Sequence, residues 1–153
     1  MATVLIVDDI VDTVRLLSCT LKGQGYDVLA AYSGREALEV ASAERPDVIL
    51  LDVMMPEMNG FEVCRRLKAD PTLRRIPVLL VTAKDLDEDV IAGLDAGAED
   101  YVTKPFHQLV LSARLRAALR VKRFHDEIAQ LNEQLRRGII SRFSAIPRRR
   151  RAG

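Results

Sequence analysis

The sequence predicts an α/β protein with three layers, in which a doubly wound parallel β-sheet lies between two layers of helices. Five short, mostly apolar runs alternate along the chain with five segments whose apolar residues recur at helical spacing. The connections between these segments are only a few residues long. An alternation of this kind forms a parallel sheet with right-handed crossovers and helices on both faces.

The predicted strands are runs of four or five residues that are rich in Val, Ile and Leu. Runs of this length and apolarity are typical of strands buried on both faces of a sheet. The run that ends at Asp52 is the most continuous, which predicts a central position for it. The predicted strands cover residues 3–7, 27–31, 48–51, 77–81 and 100–103.

The predicted helices combine helical spacing with recognisable start and stop signals. Ser33 and Glu36, three residues apart, form a capping box that begins the second helix, and this helix ends before Pro46. Gly97 closes the fourth helix, and the last helix starts near His107 and is long. The predicted helices cover about residues 11–22, 34–45, 61–69, 86–96 and 107–137.

Length and composition suit one globular domain, since the chain has 153 residues, of which 48% are hydrophobic and 29% charged. No apolar run approaches the roughly 20 residues that span a bilayer, and Met1 leads into the first strand without a basic leader. These features predict a cytoplasmic protein with no membrane span. Cys19 and Cys64 each lie in an apolar helical pattern without a neighbour at metal-ligand spacing, which predicts two buried free thiols.

Polar side chains stand where four of the predicted strands end. Asp8 and Asp9 follow the first strand, Asp52 the third, Thr82 the fourth and Lys104 the fifth. Because the carboxyl ends of parallel strands meet at one edge of a sheet, we expect these side chains to converge on one crevice. No glycine fingerprint follows the first strand, which argues against a dinucleotide site.

Three carboxylates in one crevice repel each other, by roughly 4 kcal/mol for a pair ~4 Å apart at an effective dielectric constant of about 20. They therefore need a cation. Oxygens of Asp9 and Asp52, with a backbone carbonyl and water, suit Mg²⁺. Together with the Thr82 hydroxyl and the Lys104 ammonium, and without a histidine base, these groups are the parts for in-line phosphoryl transfer onto Asp52.

Four separated motifs resemble the signature set of the response-regulator receiver domain of two-component signalling. The resemblance covers about the first 120 residues. The stretch from Asp52 to Pro56, with Gly60 and Phe61, looks most like the receivers linked to diguanylate cyclases and their stand-alone relatives. The motifs are Asp8-Asp9, Leu50-Leu51-Asp52-Val53-Met54-Met55-Pro56, Val81-Thr82-Ala83 and Tyr101-Val102-Thr103-Lys104-Pro105.

The resemblance implies a flavodoxin-like (βα)5 fold and a role for each motif residue. It implies that Asp52 accepts a phosphoryl group from a histidine kinase and that Lys104, which precedes an often cis proline, pairs with that group. Thr82 and Tyr101 are implied as the switch pair. The implied Mg²⁺ ligands are Asp8, Asp9, Asp52 and the backbone carbonyl of Met54.

Other interpretations of the same residues explain fewer of them. Acid pairs at strand ends are often helix caps, but capping explains neither Asp52 nor Lys104. Aspartyl-phosphate hydrolases of the haloacid dehalogenase kind need a second aspartate where this chain has Met54, so we expect no turnover of external phosphoesters. A degenerate docking module would lack the acceptor or the lysine, and both are present. The Met54 side chain is expected to slow hydrolysis of an acyl phosphate on Asp52.

The last predicted helix carries apolar residues at alternating steps of three and four, the spacing of a coiled-coil seam. We expect a parallel homodimer that uses this seam together with the fourth helix and the fifth strand. A helix folded back on its own domain is the alternative. The predicted division is a receiver domain over residues 1–122, a helical extension over residues 123–137 and a basic tail over residues 138–153. The seam residues are Val121, Phe124, Ile128, Leu131 and Leu135.

A net charge of +1 conceals an acidic body and a basic tail, because all seven charged residues after Leu135 are arginines. Disorder is predicted for the tail beyond Gly138. The run from Arg148 to Arg151 could attract nucleic acid or an anionic membrane non-specifically. No nucleic-acid reader precedes it, so no specific nucleic-acid partner is expected.

These observations together predict a stand-alone, Mg²⁺-dependent receiver. Its expected donor is a sensor histidine kinase or a phosphotransfer protein, and its expected output is a switched protein-interaction surface. It would catalyse nothing beyond its own phosphorylation and dephosphorylation. The alternative is the regulatory input half of a larger effector, for example a cyclase, whose output domain is absent from this chain.

Overall fold

The computed structural model describes residues 1–83 and 87–145, with the side chains of residues 1–83 and 88–138. Within these ranges five strands alternate with five helices, as the sequence predicts. The strands are β1 Thr3–Val7, β2 Asp27–Ala31, β3 Val48–Asp52, β4 Val78–Thr82 and β5 Asp100–Thr103. The helices are α1 Val11–Gly23, α2 Gly34–Glu44, α3 Gly60–Ala69, α4 Asp87–Asp95 and α5 Gln108–Ala145.

All neighbouring strands pair in parallel, in the order β2-β1-β3-β4-β5. The predicted central position of β3 is confirmed. The register places Val7 beside Leu51 and Asp52 beside Val81, so that the strands end at nearly the same level. The strand order reverses between β1 and β3, and open parallel sheets bind ligands beyond the carboxyl ends of strands at such a point.

Apolar side chains fill both faces of the sheet, which confirms the three layers. Side chains on alternate positions of a strand point to opposite faces, so each strand contributes to two separate clusters. Burial of each such side chain contributes roughly 1.5 to 3 kcal/mol. On one face α1 and α5 contribute Val14, Leu17, Leu21, Leu111 and Leu115. On the other face α2 and α3 contribute Ala37, Ala41, Val63, Cys64 and Leu67.

Side-chain caps fix the starts of two helices. The Ser33 hydroxyl accepts a hydrogen bond from the backbone N–H of Glu36 at 3.1 Å, which confirms the predicted capping box. The Glu36 carboxylate accepts in return from the N–H of Tyr32, one residue before Ser33. Asn59 caps α3 by accepting from the N–H of Glu62 at 3.0 Å, which places the start of α3 directly after the loop that follows β3.

The predicted interruption of the last helix is wrong. Disorder was expected from Gly138 onward, but α5 continues through Gly138 and ends at Ala145. A glycine inside a helix costs only about 1 kcal/mol relative to alanine, and it stops a helix only where left-handed backbone geometry follows. Residues 146–153, with the run from Arg148 to Arg151, lie outside the described residues.

The expectation of two buried thiols is correct for one cysteine only. Cys64 is buried, whereas Cys19 is exposed. In α1 the buried residues are Val14, Leu17 and Leu21. Position 19 lies about 200° around the helix from position 17, on the opposite face.

Two compact units divide the chain between Lys122 and Arg123. The first holds the sheet and the beginning of α5, and the described part of the second is the remainder of α5. Within the first unit Asp47 accepts from the N–H of Thr3 at 2.8 Å and lies 3.4 Å from the ammonium of Lys122. Among the described helices, none is both long enough and apolar enough to cross a membrane.

Candidate functional site

The carboxyl edge of the sheet joins a lysine to two buried aspartates. Asp8 follows β1, Asp52 ends β3 and Lys104 follows β5. The Lys104 ammonium lies 3.0 Å from Asp8 Oδ2 and 3.5 Å from Asp52 Oδ1. Asp8 is only 2% exposed and Asp52 4% exposed, so the predicted convergence of these three side chains is present.

A third carboxylate lies next to this pair. Oxygens of Asp8, Asp9 and Asp52 lie within 4.8 Å of one another. Asp9 is exposed to solvent, in contrast to its neighbour Asp8. Asp8 Oδ1 accepts a hydrogen bond from the N–H of Ile10 at 2.9 Å, which fixes the carboxylate while its other oxygen contacts Lys104.

Burial raises the pKa of Asp52 from 3.8 to about 6, and the negative charge of Asp8 adds to this effect. The charge of Lys104 and a hydrogen bond from the backbone of Met54 oppose the rise without cancelling it. A carboxyl group with a pKa near 6 is more basic than an ordinary aspartate and is still mostly ionised at neutral pH.

Lys104 remains cationic in this environment. Although burial by itself lowers the pKa of an ammonium, the hydrogen bond to Asp8 and the charge of Asp52 outweigh it and raise the pKa of Lys104. Its single positive charge faces two negative charges directly, with the third close by. The cluster therefore carries an uncompensated negative charge.

The backbone holds Asp52 against the start of α3. The N–H of Gly60 donates to the carbonyl of Val53 at 3.0 Å. A Cβ atom at position 60 would collide with the Asp52 carbonyl oxygen, so this approach requires glycine. The turn from Asp52 to Gly60 thus sets the position of the acid at the edge of the sheet.

Thr82 lies on β4, the strand next to Asp52, and Tyr101 lies on β5, one strand further along the sheet. Thr82 is buried at the end of β4, one residue beyond the partner of Asp52 in the register, and it pairs with Thr103. The N–H of Lys104 donates to the Thr82 carbonyl at 2.8 Å, and the Lys104-Pro105 bond is cis, as the resemblance implies. A cleft lined by Thr82 and Tyr101 opens beside α4.

The sequence does not indicate that Arg114 contacts Tyr101 and Asp100. Its guanidinium lies 5.6 Å from the centre of the Tyr101 ring and donates to both carboxylate oxygens of Asp100 at 2.7 Å. Arg114 is on α5, and its charge alone does not distinguish it from neighbouring arginines. Only the packing of α5 beside β5 brings it to Tyr101.

Met54 lies in the loop after Asp52, and its side chain is 70% exposed. Its backbone N–H bonds the Asp52 carboxylate. The participation of its carbonyl in metal binding stays a prediction. The expected effect of this side chain on water near Asp52 also stays a prediction.

The residues present fit a magnesium ion. Mg²⁺ prefers carboxylate oxygens and keeps several waters. The cluster provides carboxylate oxygens close together and an excess negative charge, and exposed Asp9 leaves one side open to water and to a phosphate group. The side chains of this cluster are all carboxylates, and none of them is a soft ligand such as a thiolate.

The sequence model described as "Response regulator receiver domain" matches residues 4–116. The chain belongs to this family. Receiver domains of two-component systems are phosphorylated by histidine kinases and bind Mg²⁺ at an acidic pocket. The predicted family and its fold are therefore confirmed.

Relatives and solved structures agree with this assignment. The receiver is 49% identical over 145 residues to the response regulator PleD of Caulobacter vibrioides, and the match covers 94% of this chain and 32% of PleD. It is 43% identical to the alkaline phosphatase synthesis transcriptional regulatory protein PhoP of Bacillus subtilis, covering 87% of this chain and 53% of PhoP. The chain thus spans about a third of PleD and about half of PhoP.

Two crystal structures show the same fold. One is a putative response regulator from Chloroflexus aurantiacus, with a TM-score of 0.73 and 40% identity over 77% of this chain and 97% of that one. The other is the chemotaxis protein CheY4 of Vibrio cholerae, with a TM-score of 0.74 and 37% identity over 77% of this chain and 98% of that one. The receiver fold of residues 4–116 is therefore shared with proteins of known structure.

Proposed function

We propose that Asp52 accepts a phosphoryl group from a histidine kinase or a phosphotransfer protein, and that the modified aspartate switches a protein-interaction surface. One observation carries the proposal: a buried carboxylate on the central strand, with its pKa raised to about 6, lies beside a lysine and two further carboxylates. Three carboxylates with one lysine beside them leave excess negative charge, which is costly without a further cation. A ligand that supplies positive charge and a phosphoryl group relieves that cost.

The reaction follows from the chemistry of the carboxylate. An oxygen of Asp52 attacks phosphorus in line with the P–N bond of a phosphohistidine, and the new P–O bond forms as the P–N bond breaks. The imidazole leaves with the electron pair of the broken P–N bond and takes up a proton from solvent. At pH 7 a group with a pKa of about 6 is ionised in roughly nine molecules of ten, so no general base is needed.

The remaining site residues stabilise the transferred group. Asp8, Asp9, Asp52 and the Met54 carbonyl would hold Mg²⁺, which neutralises charge on phosphoryl oxygens when bound. The Lys104 ammonium would exchange its contact with Asp52 for one with the phosphoryl group. The hydroxyl of Thr82 would donate to another phosphoryl oxygen.

The switch would start at Thr82. When its hydroxyl moves toward the new phosphoryl group, space opens for Tyr101 to turn inward, and the cleft between Thr82 and Tyr101 supports this movement. The contact between Arg114 and the Tyr101 ring would then break or rearrange. The change would reach the surface formed by α4, β5 and α5.

Two protein partners belong to this proposal. The first is the kinase or phosphotransfer protein that donates the phosphoryl group. The second is another copy of this chain. The two copies would contact each other through α4, β5 and α5. Neither specific nucleic-acid binding nor turnover of external phosphoesters forms part of the proposed function.

A second candidate is the regulatory input half of a larger effector. The observation that favours it is coverage, because the chain aligns with only 32% of PleD and 53% of PhoP. In such a protein the same switch would act on a covalently attached output domain. Asp52 would have the same role in both cases.

Labelling with a radioactive low-molecular-weight phosphodonor, such as phosphoramidate, tests the role of Asp52. The full chain should incorporate label in the presence of Mg²⁺, and hydroxylamine should release it, as expected of an acyl phosphate. Chelation of the metal should abolish incorporation. The kinase does not need to be known for this experiment.

The matched variants are Asp52→Asn and Asp95→Asn. The first should incorporate no label, whereas the second changes an exposed acid on α4 and should label normally. Hydroxylamine-sensitive label that persists in Asp52→Asn would show that another residue is the acceptor. If neither the wild type nor Asp95→Asn incorporates label, the proposed function is wrong.

A further inference from the structure

The second half of α5 exposes an apolar stripe. Five large apolar side chains occur at steps of three, four, three and four residues, and each is 44% to 62% exposed. An isolated exposed leucine needs no explanation, but a continuous stripe of this kind marks an interaction surface. We call these five residues the α5 seam: Val121, Phe124, Ile128, Leu131 and Leu135.

We propose that the α5 seam binds the α5 seam of a second copy of this chain as a parallel, in-register two-stranded coiled coil. The proposal deepens the homodimer of the proposed function and rests on it. The spacing averages 3.5 residues, which keeps an apolar stripe facing a like helix along a left-handed supercoil. A stripe of this geometry fits another stripe of the same period better than it fits a flat sheet or a helix of period 3.6.

The identities of the seam residues favour two parallel strands. In heptad notation Val121, Ile128 and Leu135 occupy a positions, and Phe124 and Leu131 occupy d positions. β-branched residues at a with leucine at d favour parallel dimers over larger assemblies. Two of the three a positions here are β-branched, and one of the two d positions is leucine.

The antiparallel register that keeps Phe124, Ile128, Leu131 and Leu135 in contact packs less well. With Ile128 set opposite Leu131 of the second copy, Val121 faces Gly138 at each end of the pair. Gly138 has no side chain to fill that layer, so two cavities would form. In the parallel arrangement Gly138 faces its own counterpart only, at one end of the seam.

The residues that flank the seam are compatible with a second copy in register. Glu127 at a g position lies opposite Asn132 at an e position of the other copy, and Arg120 lies opposite His125. Neither pairing joins two acids or joins an arginine to a lysine or another arginine. Charge therefore does not oppose the parallel register.

The seam alone is too small for a stable dimer. The exposed parts of five side chains in two copies amount to roughly 1,000 Å² at most, for side chains of about 150 to 200 Å² each. Stable interfaces usually bury 1,200 to 2,000 Å². The seam should therefore associate weakly, and an additional contact made by the activated receiver would shift the equilibrium toward the dimer.

Sedimentation of the full chain over a range of concentrations tests the seam. The wild type should change from monomer to dimer as concentration rises, and Mg²⁺ with beryllofluoride should lower the midpoint at least tenfold. Leu131→Asp should remain monomeric. Gln130→Asp, a change at an exposed residue next to Leu131 but outside the seam, should dimerise like the wild type.

Disulfide cross-linking tests the orientation, in a Cys19→Ser background that removes the exposed native thiol. Leu135→Cys should form a homodimeric disulfide, whereas Gln130→Cys should form little. An antiparallel pair places the two residues 135 about 11 residues apart along the axis, too far for a disulfide, and would instead join Phe124→Cys to Leu135→Cys in a mixed sample.

Several outcomes overturn the proposal. A monomer at every concentration, with and without beryllofluoride, excludes a dimer and indicates a helix that folds back on its own domain. A Leu131→Asp variant that dimerises like Gln130→Asp places the interface elsewhere. Disulfides between positions 124 and 135 alone exclude the parallel orientation. Phosphodonor labelling of Leu131→Asp measures the Asp52 function separately, so failure of the seam is distinguishable from failure of the proposed function.

Discussion

The carboxyl edge of the sheet and the second half of α5 both depart from the usual pattern of burial, in which charged groups are exposed and apolar groups are buried. At the edge, the charged groups Asp8 and Asp52 are buried. Along α5, Phe124 and Leu135 are each 62% exposed. Buried charge and exposed apolar surface both cost free energy in the isolated chain. A bound ligand would lower this free energy in each region. At the carboxyl edge the ligand is a cation with a phosphoryl group, and along α5 it is a second apolar helix.

The first prediction contrasts two leucines on the same helix. Leu115 is fully buried on α5, whereas Leu131 is 57% exposed. Leu115→Ala should lower the free energy of unfolding by about 3 kcal/mol, through lost burial and a cavity. Leu131→Ala should change it by less than about 0.5 kcal/mol at concentrations where the chain is monomeric. Urea unfolding measures both, and equal effects would contradict the assignment of Leu131 to a free surface.

The second prediction concerns the cost of charge at Asp52. Its folded-state pKa of about 6 lies above the ordinary 3.8, so the folded state binds a proton more tightly than the unfolded state. The penalty is full above pH 6 and is relieved as pH falls toward 4. Asp52→Asn should therefore be more stable than the wild type by about 3 kcal/mol at pH 7.5.

The same comparison at lower pH is the control. The stability difference between Asp52→Asn and the wild type should shrink as pH falls through 5 and vanish below about pH 3, where the wild-type carboxyl is protonated in both states. Denaturant unfolding at several pH values measures it. A difference that stays constant with pH would show that packing, rather than ionisation of Asp52, causes it.

The third prediction separates the exposed acid from the buried ones. Mg²⁺ at ten times its dissociation constant should stabilise the wild type by about 1.4 kcal/mol. Asp9→Asn should lose most of this gain, yet its stability without metal should stay within about 0.5 kcal/mol of the wild type, because Asp9 is exposed. Thermal unfolding with and without Mg²⁺ decides it. An unchanged metal response would exclude Asp9 as a ligand.

The fourth prediction concerns Gly138, where α5 continues against expectation. Apart from the adjoining residues and the backbone of the same helix, no described atom lies within 4 Å of a Cβ built at this position, so alanine meets no obstacle. Gly138→Ala should stabilise the surrounding turns by up to about 1 kcal/mol. Slower amide hydrogen exchange over residues 130–142 would report it. Faster exchange there would show that the glycine has a conformation that alanine cannot adopt.

The fifth and smallest effect concerns Met54, an exposed apolar side chain beside the buried acid. If its bulk limits the access of water to phosphorylated Asp52, Met54→Ala should accelerate dephosphorylation up to about fivefold, which corresponds to less than about 1 kcal/mol in the barrier. Decay of the radioactive label measures the rate. Met58→Ala, a nearby change in the same loop, is the control, and equal rates in Met54→Ala and the wild type would remove the hypothesis.

Much of the fold follows from local patterns. The apolar runs at β1, β3 and β4 have the length and composition of strands buried on both faces, and the capping box at Ser33 defines the start of α2. The errors arose where a local rule has exceptions. Gly138 is compatible with a helix interior, and Cys19 lies in an apolar stretch but on the outer face of α1. Helical angles, rather than composition, distinguish Cys19 from Cys64.

The sequence predicts which residues form the site, but it does not predict how buried each of them is or which contacts they make. The topology of alternating strands and helices brings Asp8, Asp52 and Lys104 to one edge, whatever the details of packing. The sequence does not distinguish buried Asp8 from exposed Asp9, because adjacent acids have the same chemistry. Nor does it place Arg114 over Tyr101.

The sequence by itself determined the alternation of strands and helices, the chemical types at the strand ends and the 3.5-residue spacing along α5, because each depends on neighbours close in the chain. Tertiary structure alone decided the strand order, the burial of Asp8 and the contact of Arg114 with Tyr101. These features depend on which surfaces meet across long separations in sequence. The raised pKa of Asp52 belongs to the second group, since desolvation and the charge of Asp8 act on it only after β1 and β3 pair.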